Sequence, residues 1–162
     1  MNSPITYSVE IYTDGSCHTQ LCIGGWAAIV FIGGEKFILS GKEKDTTHNR
    51  MEILAVIKAV ELVKKKCKTV SGIKIISDSQ YVIGLESRKE KFIDSNFKTK
   101  KGNEIRNEDL VRKLLRYTEE IKIDFVKIKA HQKKNGDENF NIEADKLSRK
   151  IVRDAVKEIR SS

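Results

Sequence analysis

The chain contains one proline, Pro4, ahead of every patterned segment. No proline-rich linker divides it, and no proline interrupts a helix or strand pattern from within. Its three cysteines, Cys17, Cys22 and Cys67, are odd in number and show no CxxC spacing. That pattern argues against a disulfide framework or a zinc site and predicts free thiols in a reducing compartment. No apolar run approaches the roughly 20 residues that a membrane-spanning helix needs. The start Met1-Asn2-Ser3-Pro4 lacks the charged and apolar regions of a secretory signal, so a cytoplasmic protein with no membrane partner is expected. Internal repeats and low-complexity tracts are also missing.

What is present suits one domain spanning residues 1–162. That length can bury a core without staples, and 39% apolar with 33% charged residues describes a globular chain with a highly charged surface. The 31 basic residues outnumber the 23 acidic ones, giving a net charge of +8. A polyanion, with nucleic acid as the first candidate, is the partner such a balance favours. Carboxylates gathered in one place on so basic a chain would hold cations against a phosphate backbone.

Tyr7 to Tyr12 alternates as a strand and runs into Asp14, after which Gly15-Ser16 is expected to turn the chain. Taken alone, Asp14-Gly15 is a hairpin signal. His18 to Ile23 reads as a connection, Gly24 to Phe31 as a buried second strand, and Glu35 to Gly41 as a third after the Gly33-Gly34 hairpin. From Asn49 to Lys66 the period becomes helical and almost wholly apolar, with Glu52 an anomalous carboxylate near its start. Ser71-Gly72 is expected to turn the chain into a strand, Ile73 to Ser77, which runs into Asp78. Ser79-Gln80 then opens a helix that Asp78 could cap.

Glu86 to Arg116 carries ten basic and six acidic residues, so half of the excess charge lies there. Phe92 and Phe97 interrupt it, and Lys98 to Gly102 has the character of an exposed loop. A solvated helix face and a phosphate-tracking surface account for this run equally well. Asn107 to Glu119 is predicted helical and Lys122 to Lys129 a strand. Gln132 to Phe140 reads as a polar loop, followed by a helix with an inward stripe from Ala144 to Ile159. Asp145 lies just off the stripe, in the expected first turn, where a helix dipole alone would favour it. The element order predicts an α/β fold, a mixed sheet with helices on both faces.

Asp14, Glu52, Asp78 and Asp145 each have an inexpensive structural explanation; four such residues at strand ends and helix starts suit a metal centre better. Hard divalent cations take oxygen ligands, and a pair about 3.5–4 Å apart can cleave phosphodiesters. The ordered set Tyr12-Thr13-Asp14-Gly15-Ser16-Cys17, Thr46-Thr47-His48-Asn49-Arg50-Met51-Glu52, Ser77-Asp78-Ser79-Gln80-Tyr81-Val82, Lys129-Ala130-His131 and Asn141-Ile142-Glu143-Ala144-Asp145 resembles type 1 ribonuclease H. The likeness runs from about Tyr7 to about Val156.

The resemblance implies a ribonuclease H-like, five-stranded mixed sheet, three antiparallel strands plus two parallel additions. It implies a metal-dependent endonuclease that hydrolyses the RNA strand of RNA–DNA hybrids, leaving 5′-phosphate and 3′-hydroxyl ends. Two Mg²⁺ ions, with Mn²⁺ as a substitute, would be its only cofactors, and a monomer is expected. By the same resemblance Asp14 would bridge both ions, Asp145 complete one site, and Glu52 and Asp78 hold the other. His131 would assist proton traffic or product release. Gly15, Ser16, Asn49, Ser79 and Gln80 would approach the RNA strand, whose 2′-hydroxyl distinguishes it from DNA.

Thr47 would seat a phosphate of the DNA strand, and Gln20 and His48 are further substrate contacts. His48 stands where the family commonly has an amide, and His18 to Ile23 replaces a glycine- and proline-rich turn. Residues from about 86 to 108 resemble the family's basic handle, with Lys98, Lys100 and Lys101 as phosphate contacts and Phe97 where tryptophan is common. No separate hybrid-binding domain is expected ahead of the catalytic part. The competing readings are a catalytically silent binder of hybrid or double-stranded RNA, and a DNA-processing relative of the same fold. The four intact carboxylates weigh against the first, and the contexts of Asp14 and Asp78 against the second.

Overall fold

A computed structural model of the chain describes residues 7–128 and 136–161. In chain order the elements are β1 (Tyr7–His18), β2 (Ile23–Ile32), β3 (Glu35–Glu43), α1 (His48–Lys66), β4 (Val70–Ser77), α2 (Gln80–Leu85), a single 3₁₀ turn, α3 (Lys89–Asp94), α4 (Glu108–Glu120), β5 (Ile123–Lys127) and α5 (Gly136–Ser161). The strands form one five-stranded sheet in the order β3-β2-β1-β4-β5. β1, β2 and β3 are antiparallel neighbours, while β4 and β5 add in parallel. The expected mixed sheet is the observed one. Among the described residues no helix is long and apolar enough to cross a membrane.

Strand parity divides the core. Val9 and Ile11 join Ala28 and Val30 of β2, Ile73 and Ile75 of β4, and the apolar faces of α1 and α4 in the larger cluster. Tyr12, with the opposite parity, packs with Ala27, Ile29, Ile76 and Ala144 beneath α5. Helices therefore cover both faces. α1 is buried on most sides because Met51 to Ile57 contains no exposed position. Thr47 caps it, its hydroxyl accepting from the Arg50 N–H at 3.2 Å, and Lys64, Lys65 and Lys66 close its negative end.

Three expectations need correction. Gly15-Ser16 does not turn the chain: β1 continues to His18, paired with β2 down to Ile23, and the reversal falls at residues 19–22. The apolar, pairable β2 outweighs the local Asp-Gly turn preference. Ser71-Gly72 likewise lies inside β4, where a register shift opposite Tyr7 and Ser8 absorbs it. Finally, α5 begins at Gly136, so part of the stretch read as a polar loop is helix and Asp145 is well inside it, not in its first turn. The predicted stripe does face inward at Ala144, Ser148, Val152, Ala155 and Val156, but Ile159 is exposed.

Gly15 marks a close approach of sheet and helix. A Cβ there would lie 2.5 Å from the Glu52 backbone nitrogen and 2.6 Å from the Met51 carbonyl carbon. Backbone atoms of a buried helix cannot give way cheaply. Gly15→Ala should lower the urea-unfolding free energy by about 1–3 kcal/mol, the usual cost of overpacking. Gly72→Ala, whose Cβ would meet only the Lys122 carbonyl at 3.5 Å, should change it by less than about 1 kcal/mol. Denaturant melts of both variants measure the contrast.

Candidate metal centre

β1 pairs with β4 only as far as Tyr12 opposite Ile76. β4 ends at Ser77, whereas β1 runs on with β2 as its remaining neighbour. The two strands thus part at their carboxyl ends, at the place where the sheet changes from antiparallel to parallel order. Openings of this kind are where α/β sheets build sites. Asp14 sits on the continuing strand and Asp78 just past the strand that stops. Asp14 was expected at a strand end; it is within the strand, yet at the same opening.

The walls of this cavity of about 470 Å³ come from Asp14, Gly15, Ser16, His48, Asn49, Glu52, Asp78, Ser79, Gln80, Tyr81, Asp145 and Arg149. One carboxylate oxygen from each of Asp14, Glu52 and Asp78 lies within 4.8 Å of the other two. Asp14 is 4% exposed and Glu52 1%. Burial, then the charges of Glu52 and Asp78 and a hydrogen bond with Asp145, push the Asp14 pKa up to about 10. Burial also raises Glu52, opposed by a hydrogen bond from His48, whose Nε2 stands 3.1 Å from Glu52 Oε1. That bond is the main cause raising the His48 pKa. The other oxygen, Glu52 Oε2, is buried without a hydrogen-bond partner.

Asp145 joins the cavity wall from α5, beside Asp14 but outside the group of three carboxylates. Arg149, one turn later, pairs with it at 3.0 Å from Nε to Oδ1. Ser148 lies between the aspartates, its hydroxyl 3.1 Å from Asp14 Oδ2 and 3.0 Å from the Asp145 carbonyl oxygen. The sequence reading missed Ser148, Arg149 and Tyr81 as lining or supporting residues. Ser148 had a signal, a lone hydroxyl in an otherwise apolar stripe; Arg149 had none apart from its i,i+4 spacing from Asp145.

The other expected contacts divide cleanly. Gly15, Ser16, His48, Asn49, Ser79 and Gln80 line the cavity. Ser79 also caps α2, its hydroxyl accepting from the Val82 N–H at 3.2 Å. Thr47 adjoins the site but its hydroxyl caps α1. Gln20 is exposed in the β1–β2 turn and is not among the lining residues. Lys98, Lys100 and Lys101 lie apart from it, in the turn whose ends bridge Lys98 to Glu104. His131 falls outside the described residues.

Within the handle-like segment the phenylalanines are not surface platforms. Phe92 and Phe97 are buried and stacked at 5.9 Å, with the guanidinium carbons of Arg88 and Arg112 4.7 and 3.9 Å from their ring centroids. They pin the segment to the domain; of its lysines, Lys89 pairs with Glu119 at 2.8 Å and Lys98 with Glu104 at 3.8 Å.

A carboxyl whose pKa rises on folding keeps a proton that the unfolded chain releases. In chelator, stability should therefore fall as pH rises above the ordinary carboxylate value of 3.8 toward about 10. Asp14→Asn removes that penalty. It should raise the melting temperature in EDTA at pH 8 by roughly 5 °C or more, since about 1 kcal/mol moves a domain of this size by about 2–4 °C. Excess Mg²⁺ should stabilise the parent protein more than the variant, a comparison that thermal melts at pH 5 and pH 8 provide.

The family model described as RNase H matches residues 6–153. The ribonuclease H of Acetivibrio thermocellus is 37% identical over 142 residues, covering 86% of this chain and 91% of that protein. That of Nitrosospira multiformis is 32% identical over 163 residues and covers 100% of both. Among solved structures, LC9-RNase H1, described as a type 1 RNase H with the type 2 active-site motif, aligns with a TM-score of 0.74 at 22% identity. The alignment covers 91% of this chain and 74% of that one. A foamy viral protease-reverse transcriptase in complex with dsDNA aligns with a TM-score of 0.69 at 21% identity, over 91% and 96% of the two chains. Those two likenesses speak for the fold alone. Sequence kinship above 30% and a family match through nearly the whole length carry more: the chain belongs to the ribonuclease H family of hydrolytic nucleases.

Proposed function

We propose that the protein is an endonuclease that hydrolyses the RNA strand of RNA–DNA hybrids, leaving 5′-phosphate and 3′-hydroxyl ends, with two Mg²⁺ ions held by Asp14, Glu52, Asp78 and Asp145. The supporting observation is the convergence of Asp14, Glu52 and Asp78 oxygens within 4.8 Å, together with the unpartnered, buried Glu52 Oε2. Carboxylate oxygens suit a hard cation, and a buried acceptor without a donor is a cost that a cation removes. When bound, such ions would supply Lewis-acid activation of a water and neutralise charge on the departing 3′ oxygen.

In this reading the chain's own groups orient the parts. Asp14, anchored by the Ser148 hydroxyl, faces the cluster from β1, and Asp145 from α5. Gly15, Ser16, Asn49, Ser79 and Gln80, ranged round the carboxylates, are the groups proposed to meet the RNA strand and its 2′-hydroxyls. Thr47 is proposed to seat a phosphate of the DNA strand, and Gln20 to make an outlying contact. His131 is proposed to move protons or release product. Residues 1–162 would act as one catalytic unit and as a monomer, with residues 86–108 as a basic handle.

A labelled hybrid incubated with Mg²⁺ should be cut in its RNA strand, while an all-DNA duplex stays intact. Asp14→Asn should lower the rate by at least about 10²–10³-fold. Binding of the hybrid without cleavage under Mg²⁺ or Mn²⁺ would replace this reading with that of a silent binder. Replacing Lys98, Lys100 and Lys101 together with alanine should make the slope of log K against log salt shallower by about 2–3, near the value for three lost phosphate contacts. Fluorescence anisotropy across a salt series gives that slope.

A further inference from the structure

The centre has an asymmetry that the four carboxylates do not explain. Glu52 has one oxygen held and one bare. His48 Nε2 stands 3.1 Å from Oε1, and Oε2 has no partner although the side chain is almost wholly buried. Gly15 lies against both residues, its backbone favouring the charged forms of Glu52 and of His48, and the absence of a Cβ there allows the close contact with α1.

We propose that His48 is a positioning residue, holding Glu52 Oε1 so that Oε2 is presented to the cation cluster. This rests on reading the acidic cluster as a cation site. The physical reason is the softness of the last glutamate torsion, which is broad and nearly two-fold, so the two oxygens exchange easily unless something distinguishes them. Here the imidazole does so. His48 is the first residue of α1 and Glu52 lies four residues later, on the same helix face; the Thr47 cap holds that first turn. The position was expected to contact the hybrid, and its side chain is 59% exposed. The contact its ring makes, however, is with Glu52.

His48→Ala, His48→Gln and His48→Asn separate the two roles. A glutamine amide reaches about as far as Nε2, whereas asparagine reaches only about as far as Nδ1. Mn²⁺ binding to the full chain without nucleic acid, followed by electron paramagnetic resonance, should weaken about 10-fold in His48→Ala, the lower end for lost support of a metal ligand. Asparagine should behave like alanine, and glutamine should restore affinity to within about 3-fold of the parent. Hybrid affinity in EDTA should be unchanged in all three, and with Mg²⁺ below saturation kcat should fall while KM for hybrid holds.

Unchanged Mn²⁺ affinity in His48→Ala would overturn the proposal. So would a loss of hybrid affinity with no loss of Mn²⁺ affinity, which would make His48 a substrate contact. If His48→Ala fails to fold, the glutamine–asparagine comparison decides by the same criterion. Asp14→Asn serves as the control: if it too leaves Mn²⁺ affinity unchanged, the cation centre fails, which is distinguishable from failure of His48 alone.

Discussion

Mutual repulsion among buried carboxylates is the constraint on which this structure turns. Asp14 and Glu52 are almost fully buried, and oxygens of both lie within 4.8 Å of one from Asp78. Isolated buried charges of one sign would be unsustainable in a protein interior. The fold meets the difficulty locally: Asp14 retains its proton far above the usual carboxylate range, Glu52 shares His48, and Asp145 pairs with Arg149. Each arrangement is a partial substitute for the positive charge that a divalent cation supplies in one step.

The scaffold is built so that this repulsion cannot be relieved by moving apart. Asp14 lies on β1, between β2 and β4 in the sheet. Glu52 is fixed by α1, whose backbone lies against Gly15 too closely for any side chain there. Asp145 comes from α5 on the opposite face, tied back to Asp14 through Ser148. Three elements, each locked by its own core contacts, thus converge at the parting of β1 and β4. Rigidity of the surroundings holds the carboxylates in an arrangement that could take a cation with little rearrangement.

The basic excess is arranged as a complement to this. The segment from Glu86 to Arg116 holds half of the net charge, and its stacked phenylalanines, each with an arginine against its face, bind it to the domain. Arg50 ties α1 to the start of α4 through two hydrogen bonds to Asp109, 2.9 and 2.7 Å long. Charge that would be a diffuse property of the surface is therefore held at a defined place relative to the carboxylates.

Much of this was legible in the sequence, because periodicity reports burial directly. The alternation of Tyr7 to Tyr12, the nearly continuous apolar run of α1 and the stripe from Ala144 to Val156 all identify elements that fold as read. The four carboxylates and the motifs around them were likewise visible: Glu52 interrupts an apolar helix, Asp14 and Asp78 follow strand-like runs, and Asp145 sits beside the stripe of α5. Local signals failed where a long-range partner outweighed them. The Asp14-Gly15 and Ser71-Gly72 pairs have the composition of turns, yet β2 and β1 pair through them as strand. The start of α5 was missed because its first residues are polar and show no stripe. The sequence by itself determined which elements form and which acidic residues are out of place in them. Only the tertiary structure decided that Ser148 of α5 meets Asp14 of β1, and that Glu52 of α1 faces Asp14 and Asp78 while Gln20 stays in an outlying turn, because such contacts depend on how separate elements pack.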